Sequence, residues 1–344
     1  MNKIETKLQK PPAEIAVEDE EGKWLARPNY PLGKLQLEIY WNAFERHDKW
    51  LNLSPTKKKI INGMICTSVY DKKPEEYIGS RKRIGGMSLE ELEEIYKKWD
   101  NVEKEYLECS KSLKCDENSF KKFIDLYTWM NTFMDMAFIY NTILEARIKR
   151  EAHEKKMPQI FYEEALFGLQ GIIEHEDVKK EKDAMVLTET IKKWYKEGIN
   201  PMQLLEDIYL EKQELAQKIE EYAKNYRFGG SDLRKEVPFE RVMERLIENI
   251  ENGITQPKEY ILDKNVLYFP EYPEFQRLLE LAVKSKIKAN NFHHTKPRGQ
   301  WKFREKLIEL GNSFYKANFF KSPDDIFELS IDGLMSCCAS FGES

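Results

Sequence analysis

The stretch from Ser119 to Arg150 limits the possible folds more than any other part of the chain. Phe120, Phe123, Ile124, Tyr127, Met130, Met134, Ala137, Phe138 and Leu144 recur at helical spacing, while Trp129, Phe133, Met136, Ile139, Tyr140 and Ile143 fill the remaining faces. A helix that is apolar nearly all round belongs in an interior, not on a surface. Asp125, Asn131, Asp135 and Asn141 interrupt it, so it lacks the run of about 18 apolar residues that a bilayer span requires. The expectation is a mainly α fold: a multi-helix domain around a buried central helix at about 119–150, with a small N-terminal β element.

Composition agrees with that expectation. Charged residues make up 33% of the 344, aromatics 12%, and glycine and proline are sparse, a mixture typical of helical proteins. The 60 acids and 55 bases are finely interspersed and leave a net charge of only −5. No global field draws in a polyanion, so nucleic acid is not an expected partner. The clusters Lys57-Lys58-Lys59 and Arg81-Lys82-Arg83 are read as solvated ends of elements. An odd set of five cysteines without C-x-x-C spacing argues for a reducing compartment, and the start of the chain carries no secretory signal. Cytoplasm is the expected location.

Taken in order, residues 1–22 are polar, hold Pro11-Pro12 and end in acids, which suggests an arm. Residues 23–87 form an aromatic-rich segment in which Ile60 to Tyr70, dense in β-branched residues around Gly63, is the best strand or hairpin candidate. Residues 88–344 are assigned to one helical domain. Ser88 and Glu91 have the spacing of a capping box and open a helix to about Leu113. Further helices are expected over Phe161–Ile173, from Asp177 to Gly198, from Pro201 to Phe228, and from Phe239 to Ile250. No repeat of fixed period appears.

From Glu274 a helix carries Leu279, Ala282 and Val283 on one stripe, which at 100° per residue continues through Lys286, Asn290 and His293. An apolar face becomes polar without changing direction. Either these groups point inward, where they need partners or a ligand, or the helix emerges into solvent there; periodicity leaves both open.

Asn290-Asn291-Phe292-His293-His294, then Arg304 to Gly311, then Ser322-Pro323-Asp324-Asp325-Ile326-Phe327-Glu328-Leu329 and Asp332-Gly333-Leu334 resemble the end of the helical central region in phosphoenolpyruvate-synthase-like phosphotransferases. The Ile60–Gly63 strand, followed by Trp99-Asp100 and a charged helix, is similar to the N-terminal part of the phenylphosphate-synthase-like branch. The resemblance covers roughly residues 40–110 and 270–335. The family's phosphohistidine lies in a Thr/Ser/Gly-rich segment, whereas His47, His153, His175, His293 and His294 lie elsewhere, and no Gly-rich phosphate loop is present. The resemblance therefore implies an acceptor-binding subunit, inactive alone, that binds no cofactor itself. An ATP-grasp subunit using ATP and magnesium and a swivelling phosphohistidine subunit would be its partners, and a small hydroxylated compound of phenol or alcohol type its substrate.

Phosphoryl transfer to a hydroxyl needs cations on the transferring oxygens, an acceptor for the hydroxyl proton and exclusion of water. By the resemblance, Lys286 takes the phosphate-stabilising place. Asn290 and His293 would orient the acceptor, and His293 or His294 would take its proton, an ordinary imidazole titrating near neutrality. Arg298 is a second phosphate ligand, and Met130, Phe133, Met134 and Phe138 would line an apolar pocket for the carbon skeleton. Each has a bland rival: Lys286 as a solvated helix residue, Asn290 as a helix end, the two histidines as a surface turn, and Pro297 as a break in the helix that carries Arg298.

Two other classes compete. Asp324-Asp325-x-x-Glu328 has the D-D-x-x-E spacing with which helical prenyl-diphosphate enzymes hold magnesium, but no second acidic cluster completes a metal site, and capping by Asp324 accounts for it more simply. A non-catalytic helical adaptor or ligand-binding subunit of a larger complex would use the charged surface between Glu174 and Asn225.

Overall fold

The computed structural model describes residues 15–19, 22–26, 33–54, 58–61, 64–68, 74–159, 163, 175–226, 239–253 and 268–342. The fold is mainly α. Four short strands, β1 (Ile15–Asp19), β2 (Gly22–Ala26), β3 (Lys58–Ile61) and β4 (Met64–Ser68), pair antiparallel in the order β1-β2-β4-β3. The polar arm expected over 1–22 thus ends in a strand whose Val17 lies opposite Trp24. Between these strands runs α1 (Lys34–Leu51), and α2 (Pro74–Gly85) follows them.

Helix α3 (Leu89–Lys111) opens on the expected capping box, with Ser88 accepting from the Glu91 amide and Glu91 from the Ser88 amide. The central helix α4 (Glu117–Glu154) is capped by Asp116, which accepts from the amide and hydroxyl of Ser119 at 2.9 and 2.8 Å. Its 38 residues make a rod of about 57 Å. Several of the polar residues within it are reconciled locally. Thr128 and Thr132 bond back to the carbonyls four residues before them, Asn131 donates to the Tyr127 carbonyl, Asn141 accepts from Ser285, and Asp125 pairs with Arg46.

The longest helix, α9 (Pro273–Lys316), lies antiparallel to α4. Phe275, Leu278, Leu279 and Ala282 from its first half pack on Tyr140, Leu144 and Ile148. Phe303, Leu307 and Leu310 from its second half pack on Phe120, Phe123 and Tyr127. Helices α1 and α3 flank α4 in the same cores. A 3₁₀ turn, Pro323–Glu328, then lies so close to α9 that a Cβ on Gly311 would come within 2.3 Å of the Pro323 carbonyl. Helix α10 (Ile331–Gly342) closes the described chain.

Between α4 and α9 the described residues form four more helices: α5 (His175–Ile191), α6 (Pro201–Glu211), α7 (Gln213–Tyr226) and α8 (Phe239–Asn252). Ile191, Leu204, Ile208, Ala216, Ile219 and Met243 are fully buried in a core of their own. Among the described residues the region 88–344, expected as one domain, thus carries three hydrophobic clusters along α4, the smallest of them around Trp99, Phe133 and Met136, and a fourth in this insertion. The single helix expected from Pro201 to Phe228 is broken at Lys212, whose φ of −152° and ψ of 75° leave the helical region. The helix expected over Phe161–Ile173 falls outside the described residues, apart from Glu163.

Candidate functional site

Helix α9 continues through Pro297, where the sequence suggested a break. Proline removes one amide and crowds the carbonyl four residues earlier, but here the surrounding packing is tight. The Tyr106 hydroxyl donates to the Lys296 carbonyl at 2.7 Å, and the Tyr106 ring fills the space where Gly299 has no side chain, with Cζ 2.3 Å from an added Cβ. Because the helix persists, Asn290 does not end it and the two histidines are not a turn. Lys286, Asn290, His294 and Arg298 instead follow one another at steps of four along one ridge.

All four are half-buried. The stretch between Glu280 and Glu305 contains no acid, so the ridge lies in a basic part of an otherwise acidic chain. Successive members are about 6 Å apart along the axis, and the whole ridge spans about 18 Å. Neighbours can therefore act on one group, but the ridge is longer than a single phosphoryl group. The backbone of His293 lies beside it; its side chain falls outside the described residues.

A cation off this ridge is more deeply buried than any of the four. Lys296 is 8% exposed. Its ammonium donates to the Tyr40 hydroxyl at 3.2 Å and stands 5.0, 5.9 and 5.9 Å from the ring centres of Tyr40, Tyr127 and Phe292. The Tyr127 hydroxyl and the Asn131 side-chain oxygen are buried without hydrogen-bond partners among the described residues. Burial, then the neighbouring Tyr40 and Tyr106 phenols, push Tyr127 well above its ordinary range. The signal was available in principle: Lys296 is four residues from Phe292 and seven from Phe303, both fully packed.

Two turns away, Lys288 is clamped between Asp100 at 2.9 Å and Glu103 from α3. Burial works against its charge, but Glu103 and Asp100 outweigh that and raise it. Burial would lift the Asp100 carboxyl, and hydrogen bonds from Lys104 and Lys288 reverse the sign and hold it low. The phenol of Tyr96 beside them is raised by burial.

The apolar pocket expected on α4 is not where its residues were placed. Met130 is fully buried with Phe120 and Phe123, Phe133 is stacked between Trp99 and Trp129 at 5.8 and 5.6 Å, and Met134 packs against the same core as Met130. They face neighbouring helices because α4 is covered along this half by α1, α3 and α9. The Phe138 side chain falls outside the described residues. The D-D-x-x-E segment is the 3₁₀ turn, and its cap differs from the expected one. Ser322 accepts from the Asp324 amide, while Asp325, not Asp324, accepts from the amides of Lys321 and Ser322 at 2.8 and 3.1 Å. Among the described residues no group of three His, Cys, Asp or Glu side chains is placed to hold a metal, and no helix is long and apolar enough to cross a membrane.

Compared with known protein families, with curated protein sequences and with solved structures, the chain finds no match.

Proposed function

We propose that the chain is the acceptor-binding subunit of a multi-chain, ATP-dependent phosphotransferase similar to phenylphosphate synthase, acting on a hydroxylated small molecule. The observation that supports this reading is the ridge Lys286–Asn290–His294–Arg298 on the acid-free run of α9. In this reading Lys286 neutralises the transferring oxygens and Asn290 orients the acceptor hydroxyl. His294 takes its proton as the acceptor oxygen attacks the phosphorus carried by the partner's phosphohistidine, and the P–N bond breaks. His293 adjoins them, and Arg298 serves phosphate at the far end of the ridge. ATP and magnesium belong to an ATP-grasp subunit, phosphohistidine to a swivelling one, and the odd cysteine count without C-x-x-C spacing fits a cytoplasmic complex.

Native purification of a tagged chain tests the reading. Recovery of an ATP-grasp protein and a small protein with a Thr/Ser/Gly-flanked histidine, followed by ATP-dependent phosphorylation of phenol that Lys286→Ala abolishes, is the expected result. Recovery of the chain without either partner overturns it. The adaptor alternative rests on a different observation: on the inserted helical unit, Leu210 is 86% exposed and Val186 62%. An adaptor tolerates Lys286→Ala and loses its partner on Leu210→Asp.

A further inference from the structure

From Ile139 onward, one side of α4 borders a cleft among the described residues. Ile139, Ile143 and Ala146 follow at helical spacing there, with Thr142 between them, and together with Gly85 at the end of α2 they line a cleft of about 440 Å³. That volume lies within the range of small-molecule sites, which are mostly apolar with a few placed polar groups. Here the polar groups are two guanidiniums, Arg147 and Arg150.

Both are anchored by main-chain carbonyls at Gly85 and Met87, and both keep donors over among the described residues. Arg147 donates to the Met87 carbonyl, and Arg150 to the Gly85 carbonyl at 3.4 Å. The Arg147 side chain is 15% exposed; its Nε forms an ion pair with Glu151 at 3.8 Å, too long for a hydrogen bond, and is buried without a hydrogen-bond partner among the described residues. Arg150 has no carboxylate partner among the described residues. A second, smaller cavity of about 150 Å³ shares Arg147 but is lined by Glu90, Glu151 and Glu274 as well as Arg277. Charge separates the two: the small cavity holds its own counter-ions, whereas the described lining of the large one includes no acid. A guanidinium beside an apolar wall selects a carboxylate or phosphate on an apolar body.

We infer that this cleft is a binding site for a compact aromatic anion, held by Arg147 and Arg150 through its charged group and by Ile139, Ile143 and Ala146 through its ring. The inference stands apart from the α9 ridge and does not depend on phosphotransfer.

The probe is 8-anilinonaphthalene-1-sulfonate, titrated into the full chain by fluorescence beside N-phenyl-1-naphthylamine, the same ring system without the charge. Saturable 1:1 binding of the sulfonate is expected, about tenfold tighter or more than the neutral compound. Arg150→Glu, at an exposed position, and Thr142→Trp, which fills the cleft, should each weaken it about tenfold while circular dichroism and Tm stay at wild-type values, and Lys286→Ala should leave it unchanged. Absence of saturable binding, equal binding of the neutral compound, or binding indifferent to both cleft variants overturns the inference.

Discussion

Tyr106 on α3 donates its hydroxyl hydrogen bond to the carbonyl of Lys296 on α9 at 2.7 Å, directly before the proline that α9 accommodates. The same ring lies against Gly299, so one side chain both bonds and wedges the crossing of two helices. In an exposed helix, Gly→Ala stabilises by about 1 kcal/mol. Here the added methyl overlaps the phenol ring, and overpacking of this kind costs about 1–3 kcal/mol. Gly299→Ala should therefore lower the urea midpoint despite its better propensity, and by more than Tyr106→Phe, which removes a hydrogen bond worth about 1 kcal/mol. A Gly299→Ala protein as stable as the wild type would mean that the crossing is loose.

The Lys288 cluster predicts a pH signature. Lys288→Met leaves Glu103 without its cation and Asp100 with Lys104 alone, at side chains 13% and 27% exposed. A partly screened pair of this kind is worth about 1–3 kcal/mol, below the fully buried figure. Asp100 is held below its ordinary 3.8 in the fold, so its contribution is complete above that pH and disappears as pH falls through the lower folded value. Lys288 is raised above 10.5, so its contribution is complete below that pH and is lost only in stronger base. The stability gap between wild type and Lys288→Met should therefore be flat from pH 5 to 9 and narrow below about pH 4, as read from urea unfolding across that range.

Thiol labelling separates the cysteines. Burial pushes the Cys115 thiol up to about 11 and the Cys338 thiol up to about 12, and the thiolate is the reactive form. Iodoacetamide at pH 7.5 with peptide mapping should leave both unmodified in the native protein and modify them in urea. Rapid labelling of Cys338 in the native state would show that α10 undocks.

Removing the α3 cap should cost about 1 kcal/mol. Ser88→Ala deletes the acceptor for the Glu91 amide at 3.1 Å, and the loss should register as a lower Tm without a change in helix content. No shift in Tm would mean that packing of Leu89 and Leu92 alone fixes the start of this helix.

These features were legible in the sequence to different degrees, for physical reasons. The Ser88–Glu91 box depends on a local spacing that any reader of the chain can see, and α4 is identifiable because its apolar residues cover every face. Met130 and Phe133 meet partner helices rather than a cleft, which an all-round apolar helix cannot announce, since it does not say which face is covered; among the described residues the cleft on α4 begins at Ile139. Lys296 went unrecognised for a related reason. The stripe through Lys286, Asn290 and His293 continues an apolar face in projection. The buried face farther along α9, however, passes through Phe292, Thr295, Lys296, Gly299 and Phe303, which Pro297 disguises as a break. The separate core of residues 175–252 has no local marker at all, since helices that share a core and helices that do not read alike one at a time.

That inserted unit also sets the order in which the chain can assemble. Tyr106 and Lys296 are 190 residues apart in sequence, so the pairing of α3 and α4 with α9 is a long-range closure whose entropic cost precedes any packing gain. The contacts within α5–α8 are short-range by comparison and form without that closure. A collapsed insertion shortens the effective loop between α4 and α9. A lesion in the Ile208–Met243 core should therefore slow folding of the distant bundle, although it touches none of the bundle's contacts.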